Sequence, residues 1–209
     1  MSLYTTKPLR KLVKRHFSPA RVRGSDVELV IGAVNLHTGQ RREWNKQDVG
    51  PESILASSAF PVAFEPVKID GQLYTDDGVR ETTPLEAAIK GGCDRIYVIQ
   101  TGRAGVVSGH LPGKPHLWDI AARNLAAMMA EIELWDLKVA GLYNIIIHHQ
   151  GFAQMAETAE VCGDKRRVDI RIIEPSEPLG DPLDFGNAKS LTNMERGREA
   201  AAQMVGAWE

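Results

Sequence analysis

The sequence predicts an α/β fold, with a central sheet and helices on both of its faces. Three features predict it. Residues 27–36, VELVIGAVNL, are apolar nearly throughout, as a buried strand is. Residues 84–99, PLEAAIKGGCDRIYVI, read as a helix, a double-glycine stop and a strand in quick succession. Between Trp118 and Ile146 apolar residues recur in steps of three and four, and a further strand, VDIRII, comes later.

Each element has a local reason. In Thr6–Arg15 a proline stands just inside a helix start, with Leu9, Leu12 and Val13 on one face and basic residues on the other, so a short basic amphipathic helix with a solvated charged face is expected. Val27–Leu36 is the first strand, and HTGQ turns it back into a more exposed strand holding Arg41, Arg42, Glu43 and Trp44. ILASSAFPVAFEP, Ile54–Pro66, is a short helix that stops before Pro61 and runs into an apolar loop. Pro84–Lys90 is a helix ended by Gly91 and Gly92, and Asp94–Ile99 a strand. The periodic stretch from Trp118 makes a helix of about 45 Å at 1.5 Å per residue. Val168–Ile173 is a strand, and Leu191–Trp208 a final helix with a capping box at Thr192 and Glu195. With no repeat and no linker, the 209 residues are read as one domain.

Composition narrows the function classes. The chain is 43% apolar and 25% charged with a net charge of −2, which gives no electrostatic case for binding nucleic acid. MSLYTTKPLRKLVKRHFSP lacks the apolar core of a secretory signal, so a cytoplasmic protein is expected. The charges inside the long helix argue against a membrane span. Cys93 and Cys162 have no metal-like spacing and read as two buried thiols.

Catalytic motifs are few. No GxSxG nucleophile turn is found; Gly105, Ser108 and Gly109 have the wrong spacing for one. Asp70, Asp76 and Asp77 do not follow the calcium-loop pattern, and adjacent His148 and His149 point in different directions, so no metal and no cofactor are expected. YTDDGV, Tyr74–Val79, stands apart: two carboxylates before a glycine are either turn chemistry or a base at the mouth of a site.

Ile54–Val98 resembles the C-terminal half of the patatin-like lipid acyl hydrolases. The likeness rests on an ASxAxP-like segment at Ala56–Pro61, an apolar FxP loop, a strand, a counterpart of the DG[GA] motif at Asp76–Gly78, a P-L helix at Pro84, and a G-x-D-x-I strand start at Gly92. Tyr4–Leu9 and Leu191–Ala202 resemble the family's first helix start and its terminal helix. The resemblance implies a three-layer sandwich with a central mostly parallel sheet, with residues 1–209 as the C-terminal portion of the domain. It also implies a Ser–Asp dyad in which Asp76 is the aspartate. Asp77 stands where the family usually has glycine, and no residues here match the glycine-rich oxyanion loop or the nucleophile.

The reading that follows is the base-supplying portion of a lipid acyl ester hydrolase; a non-catalytic binding or assembly module derived from the same fold is the alternative. The substrate implied is a lipid or acyl ester, with peripheral membrane contact an open option. An uncovered apolar face would favour a homo-oligomer. Successive residues of an extended segment face opposite sides, so Asp76, and not Asp77, should point into a concavity lined by Ala59–Pro66.

Overall fold

The computed structural model describes residues 3–102, 105–107, 111–148, 167–177, 179–180 and 186–206. Cys162, His149, Ser108 and Trp208, all considered above, lie outside them. The chain divides into two compact units, Met1–Thr82 with Lys114–Met129, and Thr83–Gly113 with Ala130–Glu209.

The first unit is built on a four-stranded antiparallel sheet of β1 (Val30–Asn35), β2 (Arg41–Asn45), β3 (Val67–Ile69) and β4 (Gln72–Asp76), in the order β2-β1-β4-β3. Its turns follow from the residues. Asn35 Oδ1 accepts from His37 N at 2.8 Å and Thr38 N at 3.2 Å, and Gly39 takes a positive φ, which closes the β1–β2 hairpin. Asp70 and Gly71, with φ of 50° and 80°, make the two-residue turn between β3 and β4. Helices α1 (Lys7–His16), α2 (Pro19–Arg23) and α3 (Pro51–Ser57) carry a proline in the first two positions. Ser53 Oγ holds the start of α3 by accepting from Gly50 N at 3.0 Å and donating to Gly50 O at 2.8 Å. Val13 of α1 and Leu55 and Ala56 of α3 pack with Ala33, Trp44 and Tyr74 in one apolar core, while Leu12 is exposed.

The second unit holds the parallel pair β5 (Arg95–Ile99) and β6 (Asp169–Ile173), in register from Arg95 opposite Asp169 to Ile99 opposite Ile173. Helix α4 (Leu85–Lys90) and the later part of α5 (Leu117–His148) supply Leu85, Leu137 and Ala140 to a core with Ile96, Val98 and Val168. Asn144 clasps the start of β6: its Nδ2 donates to Val168 O at 2.7 Å and its Oδ1 accepts from Val168 N at 2.9 Å.

The class is α/β, as predicted, but its sheet arrangement differs. β1 was expected in one central sheet with β5 and β6; instead it pairs antiparallel with β2 and β4, and the described strands form two sheets. Connection length accounts for the neighbouring pairs: β1–β2 and β3–β4, joined by short turns, can only pair antiparallel, while β5 and β6, with a helix between them, can pair in parallel; β1 and β4 are brought together across β2, α3 and β3. The last helix, α6 (Asn187–Gly206), begins one turn before the expected capping box, so Thr192 lies inside it, with Oγ1 donating to Ala188 O at 3.1 Å. Cys93 is exposed, not buried, because it follows the glycine stop of α4 at the unit's surface.

Candidate active site

YTDDGV forms the end of β4 and a single 3-10 turn, Asp77–Val79. Asp76 caps that turn: its Oδ1 accepts from Gly78 N at 2.8 Å. The backbone is tied to the loop that follows α3, since Asp76 N donates to Ala59 O at 3.1 Å and Thr75 Oγ1 donates to the same oxygen at 2.7 Å. The chain start holds that loop from the other side through Tyr4 N to Ala63 O at 2.9 Å. Within the loop Val62 has a φ of 71°, a left-handed conformation that a β-branched residue seldom adopts.

Strand register separates the two aspartates. Ala33 is opposite Asp76 on one side and Arg42 on the other, and the next row across β1 and β2 is Gly32 and Glu43. Side chains alternate along a strand, so Asp76 falls in register with Ala33 and Arg42, while Asp77 belongs to the row of Gly32 and Glu43. Asp77 Oδ2 accepts from Arg41 Nε at 2.6 Å. Arg41 also pairs with Glu43 at 3.2 Å and with Glu81. Gly32 makes this possible, because a Cβ there would collide with the Asp77 carboxylate. Asp77 is only 8% exposed, and its Oδ1 is buried without a hydrogen-bond partner.

The electrostatics differ accordingly. Burial pushes the Asp76 carboxyl above the ordinary range; the Gly78 amide works against this, and the charge of Asp77 adds to it. Burial also raises Asp77, although Arg41 opposes the shift. Asp77 is engaged with a guanidinium in the fold, whereas the Asp76 carboxylate is held by the Gly78 backbone amide. A partly buried aspartate with a raised pKa is a better base than a solvated one. Among the described residues no three His, Cys, Asp or Glu side chains converge as a metal site requires.

Residues 1–89 match the family model described as Patatin-like phospholipase. The matched segment contains the whole four-stranded sheet, the Ala59–Pro66 loop, both aspartates and the helix α4 as far as Ile89. The match is to a family of lipid hydrolases. The stretches Asp94–Val98 and Leu191–Ala202, whose likeness to the family is an expectation from sequence, lie beyond the matched residues.

Sequence reasoning missed Arg41, Gly32, Glu43 and Glu81 as the surroundings of Asp76 and Asp77. A faint signal existed: Arg41 and Glu43, two apart on a strand, must share a face. Nothing local said that Asp77 would meet them there. No helix among the described residues is long and apolar enough to cross a membrane.

Proposed function

We propose that residues 1–209 form the C-terminal portion of a patatin-like serine lipid acyl hydrolase, with Asp76 as the general base of a Ser–Asp dyad. The observation that carries this is the half-buried Asp76 carboxyl, raised in pKa and fixed by Gly78 N at 2.8 Å, inside the segment that matches the family. In the reaction, Asp76 takes the proton of a serine hydroxyl as that oxygen attacks the ester carbonyl. Its protonated carboxyl then returns the proton to the departing alcohol, leaving an acyl-serine that water hydrolyses by the same exchange. The serine and the oxyanion donors come from a segment that these residues do not match. The Ala59–Pro66 loop, whose Ala59 O accepts from the Thr75 hydroxyl and the Asp76 amide, would wall the acyl pocket.

The finer architecture implied by the resemblance, a three-layer sandwich with a mostly parallel central sheet, is proposed for the complete domain; the parallel β5–β6 pair is the part of this chain that accords with it. Cytoplasmic residence with peripheral contact to lipid is proposed on the substrate class alone.

The test reads the coding frame upstream of Met1 and assays the longer product. A GxSxG with a glycine-rich loop is expected there, and in that form Asp76→Asn should lower ester turnover by about 10³-fold while leaving the circular dichroism spectrum unchanged. Full turnover in Asp76→Asn, or loss of turnover only in Asp77→Asn, overturns the assignment.

A second reading, an assembly module that no longer catalyses, is favoured by the exposed apolar side chains of α5, Trp135 at 53% and Leu142 at 53% among them. Under either reading a homo-oligomer is proposed, and light scattering of a monomer across micromolar concentrations would refute it.

A further inference from the structure

We propose that Arg41 is a positioning residue for Asp76, acting through Asp77: the guanidinium pins the Asp77 carboxylate across Gly32, and this pin fixes the turn on which Asp76 stands. The inference rests on the assignment of Asp76 as base, and it explains the aspartate found where the family usually has glycine.

The geometry makes a continuous chain. Arg41 projects from β2, two strands away from β4 in the order β2-β1-β4. To meet it, the Asp77 side chain must cross β1, and it does so at the one residue of that row without a Cβ, Gly32. The contact is a charge-assisted hydrogen bond of 2.6 Å between groups that are both mostly buried, with side-chain exposures of 20% and 12%. Asp77 is the first residue of the 3-10 turn, and Gly78, the second, donates the amide that holds Asp76 Oδ1. Fixing Asp77 therefore fixes the direction of the Gly78 N–H, and through it the rotamer of Asp76. Arg80, the residue after the turn, donates from Nη1 to Gly39 O at 2.7 Å and ties the far side of the same turn to the β1–β2 hairpin.

The charged groups facing Asp77 are Arg41 and Glu43 from β2, Arg80 after the turn, and Glu81, which shares Arg41. Three carboxylates surround one guanidinium, so removing Arg41 leaves an uncompensated cluster that must take up a proton or open. Either outcome withdraws the hold on Gly78. Asp77→Asn is different. The amide oxygen still accepts from Arg41 Nε, so the turn stays pinned, while the charge beside Asp76 disappears.

The experiment uses the whole chain and needs no turnover, so it is independent of whether Asp76 proves to be the base. Amide hydrogen exchange at Gly78 and the carboxyl carbon titration of Asp76 are followed by NMR in the parent chain, Arg41→Gln, Arg41→Lys and Asp77→Asn. Core amides of β1 serve as the global reference. Expected are exchange at Gly78 about tenfold faster than in the parent in Arg41→Gln, beyond any change at the β1 amides, and an intermediate value in Arg41→Lys. Asp77→Asn should keep Gly78 protected and shift the Asp76 titration to lower pH. The inference is overturned if Gly78 and the β1 amides change by the same factor in Arg41→Gln. It is equally overturned if Asp77→Asn leaves the Asp76 titration where it was. Should Arg41→Gln fail to fold, Asp77→Asn against Asp77→Ala decides: faster Gly78 exchange in the alanine variant alone supports the pin, and equal exchange in both refutes it.

Discussion

Gly32 and Asp77 compete for one space: the Asp77 carboxylate lies where a side chain on residue 32 would stand. Gly32→Ala must push that carboxylate away from Arg41, at a cost of about 2 kcal/mol by the usual scale of overpacking. Urea unfolding should report the loss. In an Asp77→Gly background the same substitution should cost far less, and a double-mutant cycle with no coupling would contradict the contact.

Stability of the first unit should fall as pH rises above the ordinary aspartate range. Asp76 and Asp77 both hold their protons more tightly in the folded chain than the ordinary value of about 3.9 requires. Between that value and the raised folded ones, the folded state binds more protons than the unfolded, so unfolding free energy decreases with pH across this window. Below it both states are protonated and the contribution is fully present. Asp169, held low by Arg171, acts with the opposite sign in the second unit, where its half-exposed ion pair is weak. Urea midpoints measured from acid to neutral pH should slope downward, and Asp76→Asn should flatten the slope.

Thr75→Val should loosen the Ala59–Pro66 loop. The buried hydroxyl bond to Ala59 O is lost without any change of shape, for about 1 kcal/mol. Faster proteolysis within the loop, with near-parental protection of β1, is the expected pattern.

Asn144→Leu should weaken the second unit by about 2–3 kcal/mol, since both backbone groups of buried Val168 lose their side-chain partner. Hydrogen exchange along β6 reads this directly. An unchanged Val168 amide would show that the clasp contributes nothing.

Most elements were legible because their causes are local. Val30–Asn35 is apolar, Gly91 and Gly92 close α4, and three-four periodicity marks α5, while α3 was expected within Ile54–Pro66 and in fact starts at Pro51. The hairpin at Asp70 and Gly71 was written in the sequence too, as a two-residue turn pair, although the eye passes over it beside the longer YTDDGV. Asp76 could be picked out from its neighbours in sequence, and the family match covers it.

What the sequence by itself determined is where strands and helices lie, and which short segment carries the candidate base. Only the tertiary structure decided which strands pair, which aspartate is tied down, and by what. The reason is range: propensity, capping and turn chemistry act within a few residues, whereas the Arg41–Asp77 contact joins positions 36 residues apart. It forms only because β1 brings Gly32 between them, and the missing side chain of a single glycine gives no sign, along the chain, of what will fill its place.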